Sequence, residues 1–309
     1  MNGYSATAPG LPGRSLQWIK KLWLGQTAPA AQVAPSYGPV ISGVVLIGML
    51  VLMALLSAWI SPYDPATQDT HYALTRPSAR HWLGTDELGR DILSRIIWGT
   101  SISLQVGVSA VLVAFLVGMP LGVVAGYQGG AADALVMRGM DIMLAFPNLL
   151  MALLLVAALG SSLPNEIIAI GIALAPNFAR VARGMTLSLK ENEYIVAAKA
   201  LGGTPWRVMF RHLLPNAFAT LFVMATLYIA TAIRTEASLS FLGLGVPPPT
   251  PSWGNILSEG QAYVRQAPWV TGFSGLAILV AVLAFNLLGD ALRDVMDPRL
   301  RGEGVRKVE

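Results

Sequence analysis

The sequence predicts an all-α, polytopic membrane protein with about six transmembrane helices, and three observations lead there. Of its 309 residues, 54% are hydrophobic and only 12% are charged, with a mean hydropathy of +0.58. Soluble domains carry about 25% charged residues, so half that density points to a lipid solvent. The apolar residues gather into about six runs, most of them near the ~20 residues needed to cross a ~30 Å hydrocarbon core. Lys and Arg are unevenly shared among the connecting segments, which is how membrane proteins record their orientation.

The runs follow in order. Val40–Ile60 is nearly uninterrupted and closes on Trp59 and Ser61-Pro62. Ile102–Tyr127 carries Gly118, Gly122 and Gly126, spaced four apart, a doubled small-residue face suited to close helix packing. Met137–Leu159 contains Pro147, and Glu166–Ala182 contains Pro176; with Pro120, these prolines predict kinks. Ala217–Ile233 continues as an apolar stretch to Leu244, and Val270–Leu288 is the last run. Residues 1–39 form a Pro-, Ala- and Gly-rich segment in which Arg14, Lys20 and Lys21 with Trp18 and Trp23 suggest a short interfacial helix. The first apolar run starts too far in for a signal peptide. Residues 301–309 are a basic tail.

With the N-terminus inside, the inner segments collect most of the 21 Lys and Arg, from Arg14 through Arg138, Arg180, Arg183, Lys190, Lys199, Arg207 and Arg211 to Lys307. The outer segments keep Arg76, Arg80, Arg90, Arg95, Arg234 and Arg265. Both termini and the segment 183–216 are then cytoplasmic, consistent with an even number of spans.

Composition excludes several classes. Without cysteine there is no disulfide and no thiolate metal site, and His71, His81 and His212 have no metal-ligand spacing. The pI near 9.5 comes from scattered basic residues that follow topology, so nucleic acid is not an expected partner. No Gly-x-x-x-x-Gly-Lys-[Ser/Thr], His-Glu-x-x-His or Gly-x-Ser-x-Gly occurs, so no catalytic residues, cofactor or metal are assigned.

Glu193–Asn216 is the strongest functional signal, a polar, basic, helix-prone stretch between two oily runs. Glu193–Leu201 is helix-forming, and Gly202-Gly203 breaks it. Thr204 and Pro205 suit the cap and first position of a second helix, Trp206–Leu214, after which Leu214-Pro215 opens the fifth span. A helix–glycine–helix elbow results, able either to fit a groove on another protein or to serve as a plain connector.

Elsewhere, the outer segment holds Asp86/Arg90 and Asp91/Arg95 at i,i+4 spacing, with Thr85 as N-cap; a short amphipathic helix is expected there. Pro247-Pro248-Pro249-Thr250-Pro251 reads as a stiff extended piece. Arg138 and Asp141 are expected to pair, and Glu166 to lie in an outer loop. Arg234 and Glu236 sit near the outer end of the fifth span, where an ionisable residue is a functional candidate.

The elbow resembles the cytoplasmic EAA loop of ABC-importer permeases: Ala197, Ala198, Gly202, Leu214 and Pro215 match, while Val196 stands where that family has an acid and Glu193 lies upstream. Leu83-Gly84-Thr85-Asp86-Glu87-Leu88-Gly89-Arg90-Asp91 resembles the dipeptide/oligopeptide/nickel branch, as do Met140-Asp141, Ala145-Phe146-Pro147 and Glu236–Gly243. Pro248–Gly254, Asn286–Asp290 and Leu292-Arg293-Asp294 with Asp297-Pro298 complete the set, so the resemblance covers about Val40–Leu300. It implies a type I importer permease in a bacterial inner membrane. A second homologous permease, two cytoplasmic ATPases carrying ATP and Mg, and an external substrate-binding protein are the implied partners, beside membrane lipid. Glu193, Tyr194, Ala197, Ala198, Gly202, Gly203, Arg207, Leu214 and Pro215 are the implied ATPase-coupling residues. Glu236, Ser240 and Phe241, on a matched motif, are the implied pathway residues, and Arg234, off the motif, joins them as a candidate by its place near the end of the span; Asp86, Arg90, Asp91 and Arg95 are an outer-face motif. Di- or oligopeptides are the implied substrate, with nickel chelates, glutathione and opines as alternatives. A secondary transporter would need paired ionisable residues deep in its spans, and a non-transporting membrane scaffold is the other rival.

Overall fold

The structure is a computed structural model that describes residues 37–296. The expected interfacial helix near Arg14–Trp23 and the tail 301–309 lie outside the described residues. Among the described residues the protein is helical, without strands; a single isolated bridge joins Thr85 and Asp91.

Helix α1 is Tyr37–Leu55, followed by the short α2, Ser57–Ile60. Helix α3, Ile92–Gln128, has 37 residues and runs through Pro120. At 1.5 Å per residue it is about 55 Å long, well beyond a ~30 Å hydrocarbon core. It starts ten residues before the apolar run because the polar groups of that first stretch are satisfied inside the protein: Ser94 and Arg95 are buried and partnered. Asp91 caps the helix, its carboxylate accepting from the Ser94 backbone N–H at 2.8 Å.

The third apolar run is broken. Helices α4, Gly130–Leu144, and α5, Asn148–Leu159, meet at 93° across Ala145–Pro147. Pro147 cannot donate to a helix and starts α5 as its cap, so the break falls where the kink was expected. Helix α6, Leu163–Leu189, outruns its apolar core at both ends. Near its C-terminus Arg183 pairs with Asp133 at 2.5 Å and Arg180 with Asp141 at 2.7 Å. Asp141 is therefore the partner of Arg180, on another helix, and not of Arg138 three residues away.

After α6 come α7, Glu193–Ala200, and α8, Pro205–Val208, then a π turn, Met209–Leu213, and α9, Leu214–Phe241. The chain from Pro205 to Phe241 is one continuous helical rod. The elbow's second helix thus does not stop at Leu214-Pro215; it runs straight into the span. The π turn lets this happen: the Leu214 N–H donates to Met209 O, five residues back, ahead of Pro215, which has no N–H to give. Helix α10, Trp253–Gln261, and α11, Pro268–Met296, complete the order. Among the described residues, four helices are long and apolar enough to cross a membrane, five with the bent pair, and α1 contributes a shorter apolar stretch.

Helices α3 and α6 form the central pair. A Cβ at Gly118 would lie 2.3 Å from Ala175 O, at Gly122 2.2 Å from Ala179 O, and at Gly126 2.9 Å from Arg183 O. The glycine face seats one backbone directly on the other, as its spacing predicted. Helices α5, α9 and the elbow pack on this pair, joined by Val106, Ile170, Phe178 and Leu221. Helices α1, α10 and α11 build a second cluster with the start of α3 and the second half of α9, around Ile92, Ile233, Trp253 and Phe285. Leu52, Leu55, Leu112, Leu116, Leu135, Ile142 and Leu279 stay exposed, the outward apolar surface that a lipid-embedded bundle requires.

Candidate functional site

The elbow sits at the end of the bundle where α3 and α6 finish. Helix α7 closes at Leu201, and Gly202 follows with φ +82°, a left-handed conformation that glycine adopts without steric cost. Gly203 is as constrained, since a Cβ there would meet Ala198 O at 2.6 Å. Thr204 caps α8, its hydroxyl accepting from the Arg207 N–H at 3.4 Å, and Pro205 takes the first helical position. The expected shape is present residue for residue up to Val208.

Two faces of the elbow differ. Ile195, Val208, Met209 and Leu213 are buried against the central helices. Lys199 lies 5.1 Å from the Tyr127 ring, and Lys190 donates to Gly126 O at 3.4 Å, tying the elbow's ends to α3. The outer face carries Tyr194, Val196, Leu201, Trp206 and Phe210. Leu201 at the tip is 89% exposed and Trp206 63%, with the Trp206 and Phe210 rings stacked at 5.5 Å. Five exposed apolar side chains thus stand within residues 194–210, two of them in ring contact. Val196 belongs to this apolar face, 55% exposed. Glu193 lies in the first turn of α7, where its charge suits the helix N-terminus. Ala197, Arg207 and Pro215 are exposed, and Ala198 and Leu214 half-buried. The buried anchors escaped sequence reading because their spacing spans a break, a π turn and a helix start.

At the opposite end, residues 85–91 form a tight turn, not the expected amphipathic helix. Asp86 accepts through one oxygen from the Leu88 and Arg90 backbone N–H groups, both at 2.9 Å, which folds the turn back on itself. Its other oxygen accepts from Arg90 Nε at 2.6 Å and from Arg95. Asp91 does not pair with Arg95; it caps α3 and meets His81 Nδ1 at 2.9 Å. Glu259 of α10 completes the network, its Oε2 accepting from Arg90 at 2.8 Å and Arg95 at 2.6 Å. Glu259 lies 169 residues from Arg90, beyond any spacing rule. Asp86, Glu87 and Glu259 bring carboxylate oxygens within 4.8 Å of one another, but the two guanidinium groups already stand among them. Burial pushes the Glu87 carboxyl above its ordinary range; nearby Asp86 and Glu259 add to this, against a backbone hydrogen bond and Arg90.

Between the two ends, Glu236 is wholly buried, accepting from Ser103 Oγ at 3.1 Å and Ser240 Oγ at 2.9 Å. Glu166 is no loop residue: it lies in the first turn of α6, wholly buried. Arg234 is exposed on α9, donating to Thr231 Oγ1 at 3.2 Å, and Phe241 is half-buried at the helix end. The Pro-rich segment is not extended; Pro248 and Pro249 form a turn leading to Ser252, which caps α10. Trp253 is buried, its Nε1 donating to Ile96 O at 3.2 Å, so α10 is pinned onto α3.

Comparison with known proteins matches residues 118–302 to the family described as binding-protein-dependent transport system inner membrane component. Residues 39–77 match the N-terminal TM domain of oligopeptide transport permease C. The chain is 45% identical over 261 residues to the dipeptide transport system permease protein DppC of Alkalihalophilus pseudofirmus, covering 84% of this chain and 86% of the relative. It is 45% identical to the di/tripeptide transport system permease protein DppC of Pseudomonas aeruginosa, covering 84% and 88%. It is 46% identical to the glutathione transport system permease protein GsiD of Pectobacterium atrosepticum, covering 82% and 84%. Among solved structures, an inward-facing conformation of the MetNI methionine ABC transporter superposes with a TM-score of 0.55 at 21% identity, over 67% of this chain and 98% of that one. That likeness gives the fold, a type I importer permease.

Proposed function

The chain belongs to the family of binding-protein-dependent transport inner membrane components, and from that membership we propose that it is one of two permease subunits of an ATP-driven peptide importer. It is a multi-pass inner-membrane protein and a transport permease, not an enzyme. The peptide substrate rests on the relatives, whose names give dipeptides, di- and tripeptides and glutathione.

The observation that carries the coupling part of the proposal is the elbow: a capped bend with buried anchors and an apolar outer face. Two cytoplasmic ATPase subunits dock there, and ATP and Mg reside in them. Because Pro205–Phe241 is one continuous helical stretch, a push on the elbow is passed to α9 through the π turn at Met209–Leu213. Charge distribution supports a cytoplasmic elbow and cytoplasmic termini, with the Asp86–Arg95 network and α10 on the outer side. An external binding protein delivers substrate to that outer end, and ATP-driven rocking of the two permeases alternates access. Glu236, Ser240, Phe241 and Arg234 lie on the helix that leads outward from the elbow, on the path's outer half.

Reconstitution in proteoliposomes tests this. With the ATPases, second permease and binding protein, labelled alanyl-alanine should accumulate only with ATP. Uptake by this chain alone, driven by a proton gradient, would refute the proposal and favour a secondary transporter.

A further inference from the structure

A cavity of about 230 Å³ opens at the end of the bundle opposite the elbow. It is lined by Ser161, Ser240, Asn255, Ser258, Glu259 and residues 243 and 245–248. Pockets that enclose a whole small ligand usually measure about 300–1,000 Å³, so this one suits one end of a molecule.

Its walls leave several hydrogen-bond acceptors without a partner. Ser258 spends its O–H on Phe241 O at 3.0 Å, and Ser240 spends its own on Glu236 at 2.9 Å. Asn255 gives an amide N–H to Val246 O at 2.7 Å. Among the acceptors the walls retain are Asn255 Oδ1, the Ser258 Oγ lone pairs and Glu259 Oε1, for none of which a hydrogen bond is found among the described residues; the Ser161 hydroxyl and the second Asn255 amide N–H stand in the same lining as donors. Glu259 also belongs to a group of three carboxyls, with Asp86 and Glu87, that faces only two guanidinium groups, Arg90 and Arg95. Three spare acceptors, one of them the free oxygen of the Glu259 carboxylate, suit a compact cation with several N–H donors.

We propose that this cavity receives the protonated α-amino group of the transported peptide at the outer face, held by Glu259, Asn255 and Ser258. The proposal rests on the peptide-importer reading above and names the group that the permease itself recognises. Dipeptides and glutathione share this ammonium, while their other ends differ, which fits a cavity sized for one end.

The test uses the assembled transporter in nanodiscs of phosphatidylcholine and phosphatidylglycerol, without binding protein. The probe is alanyl-p-benzoylphenylalanine, compared with its N-acetyl derivative. Photolabelling within residues 240–259 is expected for the free amine and at least tenfold less for the acetylated peptide. Glu259→Gln should bring free-amine labelling down to the acetylated level. If that variant does not assemble, the comparison of the two peptides on the unaltered transporter still decides. Equal labelling by both peptides, or none in this segment while the complete system imports alanyl-alanine, overturns the inference alone. Absence of peptide import by the complete system instead overturns the reading beneath it. Adding phosphatidylethanolamine should leave labelling unchanged; its loss would assign the cavity to a lipid headgroup and overturn the peptide.

Discussion

At Gly122 the two central helices meet backbone to backbone. A Cβ there would sit 2.2 Å from Ala179 O and 2.8 Å from the Ala182 Cβ, and backbone cannot step aside as a side-chain tip can. Gly122→Val must separate α3 from α6, so a loss of about 1–3 kcal/mol or more is expected. Thermal unfolding in detergent checks this, with Gly48→Ala, where nothing lies within 4 Å, expected to change little. Arg95 is buried against Asp86 and Glu259, and Arg95→Ala leaves those carboxylates short of a donor. A cost of about 3–5 kcal/mol is expected for breaking such a pair. Glu87 adds a pH dependence. Burial raises its folded-state titration above the ordinary value of 4.5, so the folded protein holds that proton more tightly than the unfolded chain. The stability it contributes is complete at low pH and is lost as pH rises through the folded titration. Glu87→Gln should therefore flatten the melting temperature against pH above about 4.5; an unchanged slope would place that dependence elsewhere.

The elbow works as an element because its bend and its anchors are separate. Gly202 supplies the conformation and Gly203 the clearance, while Ile195, Val208, Met209 and Leu213 supply the grip. Gly203→Val would collide with Ala198 O and swing α7 off α8; Gly202→Val costs about 1–2 kcal/mol of left-handed strain. Both variants should insert in the membrane and bind substrate-side partners normally, yet lose ATPase co-purification and uptake together. Normal uptake in both would remove the docking role. This element was the most legible from sequence, because glycine, threonine and proline act on their own backbone, within a few residues. The Asp86–Arg95 segment was misread for the opposite reason. Its i,i+4 spacing is real, but Asp86 uses its carboxylate to close a turn, and the partner that fixes Arg90 and Arg95 is Glu259, far along the chain. The helix ends were also extended past their apolar runs wherever a charge found a partner on another helix, as Arg183 does with Asp133. Local chemistry is written locally; ion pairs between helices are not.

At the scale of the whole molecule, one long rod joins the elbow at one end to Phe241 beside the cavity at the other. The fold class was legible from apolar runs and sparse charge, since lipid imposes both. The 93° break at Pro147 and the burial of Glu166 and Glu236 were not, because they depend on how α4, α5, α6 and α9 meet. The central claim is that an ATPase grips the elbow, and the chain's lack of cysteine makes it directly testable. In the assembled transporter, Leu201→Cys at the exposed tip, treated with a short thiol-to-amine cross-linker, should join this chain to an ATPase subunit and to nothing else. Trp82→Cys, exposed at the opposite end, should leave the ATPase unlinked. An ATPase cross-link from position 82, or none from position 201, would contradict the account.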